Sequence, residues 1–111
     1  SPIARGMLAR PREKSKGETT RSDNDAHADR LYAQADWKIV DVVEQIAKER
    51  GVSMAQIATA WVLSKRDVTA PIIGATKLSH LDDAIAALDL TLSADEISAL
   101  EAPYTPKLPV F

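Results

Sequence analysis

Lys77 stands inside the stretch Pro71-Ile72-Ile73-Gly74-Ala75-Thr76-Lys77-Leu78-Ser79-His80-Leu81-Asp82-Asp83, which joins a short apolar run to a glycine and then to the start of a helical pattern. Those residue types in that order suit an anion. Glycine lets backbone approach a ligand closely, and the helix behind it aims unpaired N–H groups and the positive end of its dipole at the same place. Lys77 adds a mobile positive charge. Strand, glycine and helix follow one another in many α/β proteins, so this block gains meaning only with a second one.

The second block opens the chain: Ser1-Pro2-Ile3-Ala4-Arg5-Gly6-Met7-Leu8. Two more follow in Gly51-Val52-Ser53-Met54-Ala55-Gln56-Ile57-Ala58-Thr59-Ala60-Trp61-Val62-Leu63 and Leu88-Asp89-Leu90-Thr91-Leu92-Ser93-Ala94-Asp95-Glu96-Ile97-Ser98-Ala99-Leu100-Glu101. Taken in order with Pro71 to Asp83, the four blocks resemble the aldo/keto reductases over nearly the whole chain. The resemblance implies an α/β fold, the C-terminal portion of a (β/α)₈ TIM barrel, with NADP(H) as cofactor and an aldehyde or ketone as the small carbonyl substrate reduced to an alcohol.

It also implies which residues would meet the cofactor. Ser1 and Ile3 would touch the pyrophosphate through a hydroxyl and a backbone N–H, with Arg5 and Gly6 completing that loop. Gly74 would give the close backbone approach, and Ala75 and Thr76 would present polar groups to the adenosine ribose or its 2′-phosphate. Lys77 would favour NADP over NAD. His80 falls where relatives often carry Arg or Gln, and a neutral imidazole would hold a phosphate less firmly. Asp83 matches a position usually filled by Glu that accepts from the adenine amino group. Ala84 departs from the usual Asn, so one adenine contact is expected to be missing.

The family's proton donor is a Tyr supported by Lys, Asp and His on earlier strands. Tyr32 and Tyr104 lack the matching context, so no catalytic residue is assigned and the chain by itself is expected to be inactive. Such a cofactor carries the chemistry while protein orients it.

The elements that must hold these residues are mostly helical. Residues 1–9 are read as the loop after the seventh barrel strand, and residues 10–36 as a polar, flexible loop. That second stretch interleaves Arg10, Arg12, Lys14, Lys16, Arg21 and Arg30 with Glu13, Glu18, Asp23, Asp25 and Asp29. It is either a solvated loop or one that folds over bound nucleotide. Residues 37–102 hold the last barrel helices. Ile39, Val42, Val43, Ile46 and Ala47 repeat at helical spacing up to Gly51, a left-handed stop. Ser53-x-x-Gln56 and Ser93-x-x-Glu96 are capping boxes, each with a hydrophobic staple, Val52 with Ile57 and Leu92 with Ile97. Met54, Ile57, Ala58 and Trp61 form the inner face of the second helix. Within the run Val68 to Ile73 a strand is expected over about residues 69–73. A helix capped by Ser79 should follow, with Leu81, Ile85 and Leu88 as its apolar stripe. Residues 103–111, with Pro103, Pro106 and Pro109, are a tail.

A complete barrel needs roughly 200 residues or more, and this chain has 111. The first residue is Ser, so the chain is expected to begin inside a domain. Its helices would lack the sheet they are shaped to cover, and the expected partners are the remainder of the barrel, a complementary chain or a second copy of itself. A net charge of −2 argues against a nucleic-acid surface, and no apolar run approaches a membrane span. There is no signal-peptide pattern, which makes cytoplasm the expected location. Without cysteine, and with only His27 and His80 as imidazoles, no metal site is expected.

Two other readings use the same residues. Glu49 to Ala58 resembles a helix-turn-helix, with Ala55, Gln56, Thr59 and Ala60 as the outward positions of a DNA-reading helix. The other is a small helical interaction module.

Overall fold

A computed structural model describes residues 1–12, 37–106 and 108. Among these residues the chain forms four α-helices, α1 (Trp37–Arg50), α2 (Met54–Leu63), α3 (Leu78–Ala86) and α4 (Ala94–Glu101). Ala4–Ala9 forms tight 3₁₀-type turns broken by a kink at the non-helical Arg5 and Gly6, and a short 3₁₀ segment occupies Ala87–Asp89. The stretch expected to be a polar loop lies outside the described residues from 13 to 36, and so do His27 and Tyr32.

Local chemistry sets the helix ends. α1 closes at Gly51, whose φ of 65° is left-handed. The Val52 N–H reaches the Ala47 carbonyl at 3.0 Å and the Gly51 N–H reaches Lys48 at 3.3 Å, the paired bonds of a Schellman stop. Two residues later Ser53 opens α2. Its Oγ accepts from the Gln56 N–H at 3.1 Å while Gln56 Oε1 accepts from the Ser53 N–H at 2.9 Å. Ser93 and Glu96 repeat the arrangement at α4, with bonds of 3.1 and 2.8 Å. Both capping boxes therefore stand as the spacing predicted.

Val40, Val43, Ile46 and Ala47 on α1, Met54, Ile57 and Ala60 on α2, and Leu92 and Leu100 around α4 form one core. Ile57 is fully enclosed at 0 % exposure. Ile39 and Val42 pack only against the margin of this core, so the inner face of α1 is rotated slightly from the stripe read in the sequence. Two polar clamps fasten α4 to the other helices. Arg50 donates from Nε to Glu96 Oε2 at 2.8 Å, from Nη2 to Glu96 Oε1, and from Nη2 to the Thr91 carbonyl at 2.9 Å. At the far end Glu101 accepts from Trp61 Nε1 at 3.0 Å and pairs with Lys65, whose ammonium lies 4.5 Å from the Trp61 ring centre.

Residues 69–73 depart from expectation. No strand is present among the described residues, and this stretch runs without regular structure between α2 and α3. A β-strand exists only through its ladder, and no neighbouring strand is there to bond it. The stripe of α3 is likewise real in sequence but uncovered. Leu81 is 42 % exposed, Ile85 55 % and Leu88 68 %, and α3 buries no residue. The start of α3 is also corrected. Lys77 is the N-cap and Ser79 lies within the first turn, so no side chain caps this end.

Candidate cofactor site

The first and second chemical blocks approach each other across α2. A cleft of about 320 Å³ is lined by Ser1, Pro2, Val62, Ala70, Pro71 and Ile72, so the chain start and the run before Gly74 form its two walls. Val62 supplies the floor from the last turn of α2, which packs against both the N-terminal segment and α3. Ile72 is 90 % exposed, and the cleft is open on that side.

Within the block that opens the chain, Ser1 Oγ accepts from the Arg5 N–H at 3.0 Å. Gly6 and Leu8 both donate to the Ile3 carbonyl, at 3.0 and 3.1 Å. The chain therefore curls tightly on itself over residues 1–8, while the Ile3 N–H enters no hydrogen bond among the described residues.

Within the block from Pro71 to Asp83, Gly74, Ala75, Thr76, Lys77 and His80 are exposed and Asp83 is half-buried. None of these six lines the cleft; they follow it, along the approach to α3 and its first turns. His80 folds back so that Nδ1 accepts from the Thr76 N–H at 3.4 Å, a long bond that fixes the end of the approach. The N–H groups of Leu78 and Ser79, at the open start of α3, have no partner among the described residues. Open amide donors beside an exposed ammonium are a donor set that fits a phosphate. No group of three or more metal-ligating side chains occurs among the described residues.

The helix-turn-helix reading fails on burial. Thr59 and Ala60, taken as outward, are 4 % and 3 % exposed. Gln56, the best reader, spends its side-chain oxygen on the Ser53 N–H. α2 touches α1, α3, the N-terminal segment and residues 87–89, so it is the central helix and has no face for a DNA groove. No described helix is long and apolar enough to cross a membrane.

Arg10 was missed as part of this region. Its Nε donates to the Gly6 carbonyl at 3.3 Å, a contact hidden in a sequence where it reads as one charge of a mixed run.

Comparison with known sequences finds the family that the four blocks resemble. The profile of the Aldo/keto reductase family matches residues 1–104. A Schizosaccharomyces pombe protein, named provisionally as an aryl-alcohol dehydrogenase, is 46 % identical over 107 residues, covering 96 % of this chain and 30 % of the relative. Versiconal hemiacetal acetate reductase of Aspergillus parasiticus is 40 % identical over 111 residues, covering 96 % of this chain and 32 % of the relative. An aldo-keto reductase of Alternaria alternata is 41 % identical over 109 residues, covering 97 % and 29 % respectively. The chain thus spans about 30 % of the length of the curated relatives it matches.

Proposed function

Since this chain belongs to the aldo/keto reductase family and corresponds to its C-terminal part, we propose that it carries the NADP(H)-binding portion of an enzyme reducing an aldehyde or ketone to an alcohol. The observation that carries this reading is the cleft, which joins Ser1 and Pro2 to Pro71 and Ile72 although they are about seventy residues apart in sequence. In a (β/α)₈ barrel, which the family implies, strand ends and the loops after them gather at one face, and ligand sits there.

When bound, the nicotinamide supplies the hydride. This chain's own residues bind and orient. In this reading the Ile3 N–H and the Ser1 hydroxyl hold the pyrophosphate, with Arg5 and Gly6 shaping their loop. Gly74, Ala75 and Thr76 bring backbone close to the ribose. The open start of α3 and the Lys77 ammonium hold the 2′-phosphate, with His80 beside it, and Asp83 accepts from the adenine. No residue here donates the proton to the carbonyl, so the isolated chain transfers no hydride.

The apolar surface of Ile72, Leu78, Leu81, Ile85 and Leu88 belongs to the same reading. The part of the family fold that this chain does not span supplies its cover, and residues 69–73 gain their ladder only with that part in place.

Lys77→Glu in the intact protein is expected to weaken NADPH at least tenfold more than NADH, roughly the worth of one charge-assisted phosphate contact. Fluorescence titration of the two nucleotides checks it. Equal weakening of both removes Lys77 from the 2′-phosphate site, and no nucleotide binding by the wild type removes the reading altogether.

A further inference from the structure

The N-terminal segment holds three successive residues in the left-handed region, Ala4 at φ 48°, Arg5 at 56° and Gly6 at 101°. Glycine adopts this region freely, whereas Ala4 and Arg5 are strained there and persist only where their surroundings hold them. Most of the holding is local. Ala4 donates to the Ser1 carbonyl at 3.1 Å and Arg5 to Ser1 Oγ at 3.0 Å, while Gly6 and Leu8 share the Ile3 carbonyl. All of these bonds use N–H groups of the turn and leave the Gly6 carbonyl to another donor.

Arg10 is that donor, through Nε at 3.3 Å. Its guanidinium also fills the space beside Gly6, where an added Cβ would stand 2.7 Å from Nη2 and 3.7 Å from Cζ. Arg10 is half-buried, and its Nη groups have no hydrogen-bond or ion-pair partner among the described residues. A charged side chain drawn partly out of water for one backbone contact, with no acidic partner among the described residues, is placed at a desolvation cost that the contact has to offset. The turn it braces is the one that leaves the Ile3 N–H unbonded.

We propose that Arg10 is a positioning residue. It holds the Gly6 carbonyl and packs beside Gly6, and so keeps Ala4 to Gly6 in the left-handed form that leaves the Ile3 N–H to donate to a nucleotide diphosphate, beside a Ser1 hydroxyl that accepts from the Arg5 N–H and keeps its own O–H for the same ligand. The ligand half of this inference rests on the cofactor reading above; the conformational half does not.

The conformational half is tested in the 111-residue chain without ligand. Three-bond HN–Hα couplings and backbone chemical shifts report the sign of φ at Ala4 and Arg5. Arg10→Met keeps the stem and loses donor and charge; it is expected to abolish the positive-φ signature at both residues. Arg10→Lys keeps the charge but not the planar Nε–H and is expected not to restore it. An unchanged signature in Arg10→Met, or its absence from the wild type, overturns the proposal. In the intact protein, Arg10→Met is expected to weaken NADPH about fivefold to tenfold, the worth of one hydrogen bond, with the salt dependence of Kd unchanged. A shallower salt dependence with rescue by Arg10→Lys makes Arg10 a direct charge contact and overturns the positioning role. A turn that depends on Arg10 in a protein that binds no NADPH refutes the cofactor reading alone.

Discussion

Replacing Glu96 by Ala removes several contacts made by one carboxylate at the start of α4. Oε1 accepts from the Ser93 N–H at 2.8 Å and from Arg50 Nη2, and Oε2 accepts from Arg50 Nε at 2.8 Å. The hydrogen bonds from Arg50, then the backbone bond from Ser93, lower the Glu96 pKa from 4.5 to about 2. Loss of one half of a capping box costs about 1 kcal/mol. Arg50 is partly exposed, with 36 % of its side chain open to water, so the ion pair is held to the surface range and the total for Glu96→Ala is about 1–2 kcal/mol. Glu96→Gln keeps an acceptor for Ser93 and should lose about half of that. The sign with pH follows from a depressed folded-state value. The contribution is fully present above the unfolded pKa near 4.5 and is lost as pH falls toward about 2. Urea unfolding followed by tryptophan fluorescence, at steps from pH 7 to pH 2, should therefore show the gap between wild type and Glu96→Gln closing across that window. A gap that stays constant with pH, or no gap at pH 7, would refute the assignment of this clamp.

Ile57→Ala, at the most enclosed core position, should cost about 2–5 kcal/mol by the same assay, whereas Leu88→Ala on the uncovered face should fall within about 0.5 kcal/mol. Equal costs would mean that the core is not where the burial places it. Gly51→Ala should lower stability by about 1 kcal/mol through its left-handed φ alone, since an added Cβ meets nothing within 4 Å; an unchanged midpoint would contradict that.

The features legible in the sequence are those that a few neighbouring residues decide among themselves. Ser53 with Gln56, Ser93 with Glu96, and Gly51 and Val52 with the Lys48 and Ala47 carbonyls each bond within six residues, so type and spacing were enough to predict the end of α1 and the starts of α2 and α4. Periodicity likewise predicted the apolar stripes, because a helix repeats its faces at a fixed interval. The blocks that resemble an aldo/keto reductase belong to this group, since the resemblance is carried by short runs in order.

What depended on tertiary structure is everything that needs a second surface. Residues 69–73 carry the β-branched pattern of a strand, yet a ladder requires a neighbour and none is present among the described residues. α3 has its stripe but no cover, which periodicity alone cannot tell from a buried helix. Thr59 and Ala60 read as outward on an isolated helix and are buried because α2 is packed from several sides at once. Arg10 reads as one charge among many, and only the curl of the chain brings its Nε to the Gly6 carbonyl. Local bonding is written in adjacent residues, whereas burial and long-range contact depend on how the elements close on one another in space.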